Sequence, residues 1–230
     1  MLKQYSKYDI ATFIALVLHT CGLIGILFFD REMFTAATTI NLLVMFVLLL
    51  WTQSKKNTWF FIFFIITYAA GFTVEWFGVN TSLLFGDYHY GNVMGLQFKN
   101  VPLIIGINWF IIIYCSGVTI YTILQRAITK IAEQTGEPVL RLKPLSVIVD
   151  GATLAVFFDW VMEPAAVKLG YWQWNTTDGS IPLLNYGCWF VISLVLVASF
   201  YLLKFNKRNK FAVHLLLIQL MFFLLLRTFL

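Results

Sequence analysis

Seven apolar stretches, separated by short polar gaps, account for most of the chain. They run near 10–29, 34–51, 58–79, 102–125, 146–169, 184–205 and 211–230. A hydrocarbon core of about 30 Å needs roughly 20 apolar residues in helical form. The pattern therefore predicts an all-α, polytopic membrane protein with seven transmembrane helices in a single transmembrane domain, 1–230. The first stretch begins too near Met1 and runs too long for a cleaved signal sequence, so a retained anchor is expected.

The gaps carry charge unevenly. With the N-terminus inside, Lys3, Lys7, Lys55, Lys56, Arg126, Lys130, Arg141, Lys143, Lys204, Lys207, Arg208 and Lys210 fall on the cytoplasmic side. Only Arg31, Lys99, Lys168 and Arg227 fall on or near the other. This bias predicts a cytoplasmic N-terminus and an outer C-terminus. It also accounts for the net charge of +5 without a nucleic-acid partner. The basic loops suit anionic membrane lipid or partner enzymes.

Composition agrees. Apolar residues make up 60% and charged residues 12%, against about 45–50% and roughly 25% in soluble domains. Cys21, Cys115 and Cys188 lie in apolar runs without metal-ligand or disulfide-like spacing. A seven-helix retinal protein needs a lysine inside its last helix for the Schiff base. The last stretch has none, its nearest lysine being Lys210 at the membrane edge.

A spacing pattern occurs twice. The first copy has Glu75-Trp76, Gly86, Tyr88, Tyr90, Pro102-Leu103 and Trp109-Phe110; the second has Asp159-Trp160, Gly170, Trp172, Trp174, Pro182-Leu183 and Trp189-Phe190. Acid to glycine is eleven positions in both, and proline to tryptophan is seven. The copies have the same membrane direction, which predicts parallel pseudo-repeats, approximately 58–125 and 146–205, with a site at their interface. Loops 80–101 and 170–183 mix glycine turns with large amphipathic rings. Each ring alone reads as an aromatic belt; rings repeated behind a repeated acid read as a lined pocket.

Ionisable residues inside a span are costly and so are functional candidates. Glu75, Asp150, Asp159 and Glu163 qualify, with Asp150 ranked lower because it lies nearer the cytoplasm and on another face. Asp159 and Glu163 share a helix face, and Pro164 frees the Trp160 carbonyl beside them. No mid-span Arg or Lys partners these acids, so at least one is expected to be a neutral carboxylic acid. Such a group acts either as a general acid or as a staple to Asn108, Asn185 or backbone.

Neutral acids, electron-rich rings and no metal suit protonation of an alkene, with the cation held against ring faces. Trp76, Trp160, Tyr88, Tyr90, Trp172 and Trp174 supply such faces, and an apolar polyene would enter from the bilayer. His19 and His214 read as structural, and His89 has no second ligand at metal-site spacing. The chain has no phosphate loop, dinucleotide fingerprint or nucleophile elbow. No metal or cofactor is expected.

These residues resemble the integral-membrane carotenoid biosynthesis proteins that include the bacterial carotenoid 1,2-hydratases of the CruF type. The resemblance covers about 70–190. It rests on Glu75, Phe85-Gly86-x-Tyr88-x-Tyr90, Val101-Pro102 and Trp109, then on Asp159, Glu163-Pro164, Gly170-x-Trp172-x-Trp174, Pro182 and Asn185-Tyr186-Gly187-x-Trp189. The family often has Asp-Pro and Asn-Phe where this chain has Glu163-Pro164 and Asn185-Tyr186. The resemblance implies water addition across the terminal C1=C2 bond of an acyclic carotenoid end, in a bacterial inner membrane. It implies Glu75, Asp159 and Glu163 as catalytic carboxyls. Trp76, Phe85, Tyr88, Tyr90, Trp109, Trp160, Trp172, Trp174, Asn185 and Trp189 would bind the apolar carotenoid. Two other readings fit the same residues: an end-group cyclase, in which an alkene captures the cation, and a small membrane carrier.

Overall fold

The computed structural model describes residues 5–136, 138 and 142–230; Lys3 and Arg141, counted above among the basic residues, lie outside the described residues. Seven membrane-length helical spans are present among them. The first is α1 (Lys7–Phe28), whose N-terminus is closed by a Ser6–Asp9 capping box. The second bends at Ala37 into α2 (Arg31–Ala36) and α3 (Thr38–Thr52). The others are α4 (Thr58–Thr81), α5 (Ile105–Thr135), α6 (Pro144–Lys168), α7 (Leu183–Leu202) and α8 (Lys210–Phe229).

Asn57 and Asn209 cap α4 and α8, each accepting from a backbone N–H of the first turn. Pro144 opens α6, where its missing N–H has no intrahelical partner to lose. The apolar windows match these helices to within a few residues, with one exception. The window ending at 125 belongs to a helix that runs on to Thr135 and stops at Gly136, in a left-handed conformation. At 31 residues α5 is roughly 46 Å long at 1.5 Å per residue. Hydropathy marks where hydrocarbon ends; Gln125, Arg126, Lys130 and Glu133 are good helix formers that continue the helix into water.

The central element is α5, which contacts α4, α6, α7 and α8 and is the most buried span. Its first half is buried on all sides, from Ile105 to Thr119 with Ile107 the one partly exposed residue. The polar connectors gather at one end. Gln53 donates to the Asn206 carbonyl at 2.7 Å, Asn57 to the Lys204 carbonyl at 2.8 Å, and Tyr201 to the Leu142 carbonyl at 3.1 Å. Lys55, Lys56, Lys143, Lys204, Lys207, Arg208 and Lys210 therefore share that end, with Arg126 and Lys130 beside Arg208 and Lys210.

At the opposite end the two long loops pair with each other. Strand β1 (Tyr88–Tyr90) lies antiparallel to β4 (Trp172–Trp174), with Tyr88 opposite Trp174, His89 opposite Gln173 and Tyr90 opposite Trp172. A second small pair, β2 (Gln97–Phe98) and β3 (Val101–Pro102), closes the first loop. Strand alternation sends all four rings of the β1–β4 ribbon inward, while His89 and Gln173 face out.

The ribbon has its own two-fold character. Gly91 N–H donates to the Tyr171 carbonyl and Asn175 N–H to the Asp87 carbonyl, each at 2.9 Å. Position 91 corresponds to 175 and position 87 to 171 in the repeat, so the two bonds exchange under the repeat relation. Trp109 and Trp189, also equivalents, stack with centroids 3.9 Å apart and planes 10° apart. The pseudo-repeat of the sequence is thus a contact between equivalent parts.

Candidate functional site

The three acids converge beneath this ribbon. Glu75 on α4 is buried, and its carboxyl accepts three hydrogen bonds: from the Tyr88 hydroxyl at 2.6 Å, the Tyr90 hydroxyl at 2.7 Å and Trp109 Nε1 at 2.8 Å. Glu163 on α6 accepts from Trp172 Nε1 at 3.0 Å, Trp174 Nε1 at 3.2 Å and Asn185 Nδ2 at 3.4 Å. Asp159, one turn earlier, is 0% exposed; its Oδ2 accepts from Asn185 Nδ2 at 2.9 Å. Its Oδ1 has no hydrogen-bond partner among the described residues.

The geometry corrects the equivalence read from spacing. By acid-to-glycine distance Glu75 matches Asp159, yet the acid held by the second strand's rings is Glu163. Glu75 lies six residues before the end of α4, and Glu163 five before the end of α6. The first copy inserts Ser82–Phe85 between helix and glycine, which offsets one helical turn. Asp159 is therefore an additional acid, with no counterpart in the first half.

Burial sets the state of the ribbon's phenols. Desolvation first, and the Glu75 carboxylate second, hold Tyr88 and Tyr90 well above the ordinary phenol value of 10.0. Both therefore remain O–H donors to Glu75. Phe85 adds local strain: it is buried with a φ of 66°, a left-handed conformation rare for a bulky residue. Gly86 follows at φ 122°, and a Cβ there would meet Pro182 Cγ at 3.0 Å.

Together these groups enclose a cavity of about 20 Å³, room for roughly one water. Of the residues predicted from sequence, Glu75, Phe85, Tyr88, Tyr90, Asp159, Glu163, Trp172, Trp174, Asn185 and Trp189 line it. Trp109 stands behind, donating to Glu75 and stacking on Trp189.

Trp76 and Trp160 do not line the cavity. Each follows an inward acid by one residue, and one step along a helix turns the side chain by about 100°. Trp76 lies partly buried beneath the Lys99 ammonium, 5.7 Å from its ring centroid. Trp160 is 46% exposed; the Arg227 guanidinium sits 4.2 Å over its ring and donates to its carbonyl at 3.0 Å. That carbonyl is the one Pro164 leaves without an intrahelical donor. Asp150 is exposed, well away from the cluster.

Ile105 and Met162, which the sequence does not single out, also line the cavity, as does Asn108, expected only as a staple for a neutral acid. Nor does the sequence single out Gly71, where a Cβ would lie 2.5 Å from Trp109 Cβ and Cγ. The signal for Gly71 was present: it lies one turn before Glu75 on the same face. A larger chamber of about 250 Å³ adjoins the acids, bounded by α1, α3, α5, α6 and α8. The two cavities share a wall of Asn108, Met162 and Trp172.

Fold and site define a seven-helix membrane protein with a buried tri-carboxyl cluster, clasped by aromatic N–H and O–H donors and set beside an apolar chamber. The sequence profile of the carotenoid biosynthesis protein family matches residues 33–230. The chain belongs to that family; all of α1 and the first two residues of α2 lie ahead of the matched region. No curated protein and no solved structure matches the chain.

Proposed function

We propose that the protein is a carotenoid 1,2-hydratase, adding water across the terminal double bond of an acyclic carotenoid end group such as that of lycopene. The observation that carries this reading is the pairing of two dissimilar carboxyl environments around space for about one water. Among the described residues Asp159 Oδ1 has no partner, whereas Glu163, like Glu75, is met by three donors and no acceptor. An oxygen without a partner is placed to give a proton; a carboxyl met only by donors suits a carboxylate.

In the proposed sequence Asp159 transfers its proton to C2, and the π electrons form the new C–H bond. The positive charge left at C1 is tertiary and sits among the Tyr and Trp rings, whose faces attract cations most strongly when desolvated. Water attacks C1 through an oxygen lone pair. Its surplus proton passes to Glu163, which shares the Asn185 amide with Asp159 and returns the proton to it. The sum is alkene plus water to tertiary alcohol, with the carboxyls regenerated. The buried carboxyls and apolar chamber fit a substrate dissolved in the bilayer. The charge bias argues for the N-terminus and the basic loops in the cytoplasm; a bacterial inner membrane follows from the resemblance to the bacterial hydratases.

The test is expression in a bacterium engineered to accumulate lycopene, followed by chromatography, absorbance and mass analysis of the pigments. A product heavier by one or two waters with an unchanged visible spectrum is expected, because C1=C2 is isolated from the polyene. An isomer of unchanged mass and blue-shifted absorbance would make the protein a cyclase and overturn the reading. Unaltered pigment, with both lycopene and a half-cyclised relative as substrate, would favour a carrier.

A further inference from the structure

The chamber beside the acids is mainly apolar, lined by side chains such as Ile26, Leu42, Val44 and Phe222, and among the described residues no Lys, Arg, Asp or Glu lines it. Among its polar side chains Thr38 and Tyr171 satisfy each other at 2.6 Å, while His19 of α1, Asn41 of α3, Asn108 of α5 and Gln219 of α8 reach it from four helices. Gln219 is 4% exposed and His19 5%. Asn41 Oδ1 and Gln219 Oε1 accept no hydrogen bond among the described residues. His19 Nδ1 lies 2.8 Å from the Ala15 carbonyl, which requires a donor, so Nε2 carries the lone pair in the neutral ring.

Unpartnered amides at mid-span are costly, since hydrocarbon offers them nothing. They do not staple helices, having no protein partner here. An apolar cavity with a few convergent polar groups has the make-up of a small-molecule site. The absence of charged lining excludes an ionic ligand. Whichever way each amide is turned, it presents one acceptor and one donor, and a hydroxyl answers both. The rim carries Leu18, Cys21 and Ile40, exposed on the outside of the bundle, so a bilayer-dissolved molecule has lateral access.

We infer that this chamber is a binding site for a neutral isoprenoid alcohol, its chain held by the apolar walls and its hydroxyl by Asn41 and Gln219, with His19 as a further acceptor. The inference deepens the hydratase reading, whose product is such an alcohol. The hydroxyl formed at the acids would pass the Met162 wall and find partners that the hydrocarbon substrate lacks, so the chamber favours product over substrate.

The experiment places the full chain in lipid nanodiscs with photoreactive diazirine analogues of nerolidol, a tertiary isoprenoid alcohol, and of farnesene, its hydrocarbon counterpart. Labelled residues are mapped by mass spectrometry. The alcohol probe should label chamber residues of α1, α3 and α8 saturably and be displaced by unlabelled nerolidol. In the Asn41→Leu, Gln219→Leu double variant that labelling should fall about tenfold, the equivalent of two lost hydrogen bonds. Leucine replaces amides that lack protein partners, so thermal stability without ligand should hold or rise. Equal chamber labelling by alcohol and hydrocarbon, an unaffected double variant, or unsaturable labelling of the lipid-facing surface would each overturn the inference. The alcohol probe is supplied ready-made, so the labelling is independent of turnover: labelling without hydration of lycopene would overturn the hydratase reading alone, and hydration without chamber labelling this inference alone.

Discussion

At the scale of single residues, the three carboxyls differ in what a substitution removes. Asp159→Asn leaves one oxygen for Asn185 and alters an atom that has no partner. The expected outcome is a loss of turnover of 10²–10⁴-fold, the usual worth of a positioned acid or base, with an unchanged unfolding temperature. Glu75→Gln points an amide NH₂ into a ring of three donors. It should lose turnover and also stability, by about 1–3 kcal/mol, measured by thermal unfolding in detergent. The phenols give a pH signature. Tyr88 and Tyr90 have folded values raised above the ordinary 10.0 by burial and by Glu75. Their contribution is fully present below the unfolded value and is lost as pH rises through the folded one. Unfolding temperature should therefore hold up to about pH 10 and drop beyond it, and the Tyr88→Phe, Tyr90→Phe variant should start lower and drop less.

Among the elements, the site depends on close approach between α4 and α5. Gly71 lets Trp109 reach Glu75, and an added Cβ would lie 2.5 Å from the Trp109 side chain. Gly71→Ala should cost about 1–3 kcal/mol through overpacking and reduce turnover about tenfold as the indole leaves Glu75. Assays of stability and of hydroxylated pigment check both effects. The β1–β4 ribbon shows how far local reading reaches. Glycines followed by aromatics at every second position were visible, and the period of two does put the rings on one face. That two loops about eighty residues apart pair as strands was not visible, because pairing depends on where α4 and α6 end. The same blindness produced the mistaken match of Glu75 with Asp159. Counting residues across Ser82–Phe85 ignores that helix and loop advance the chain by different distances. Trp76 and Trp160 adjoin inward acids in sequence, but helical geometry turns adjacent side chains apart.

On the scale of the whole molecule, the repeat halves meet around a shared centre, and the tri-carboxyl cluster lies towards the end of the bundle opposite most of the basic residues. Topology is testable directly. A phosphatase reporter fused after Leu230 should be active on the outer side, and one inserted in the 52–57 loop should be inactive; the reverse pattern would invert the assigned orientation. The sequence by itself determined the seven spans, the charge asymmetry, the doubled motif and the set of carboxyls. These are legible because hydrocarbon thickness, the cost of charge in lipid and side-chain periodicity act along the chain. Tertiary structure alone decided which acid each strand's rings hold, which oxygen is left without a partner, and that His19, Asn41 and Gln219 share a chamber with the Met162 wall. Those are relations between helices distant in sequence, set by packing around α5, and no pattern confined to one segment encodes them.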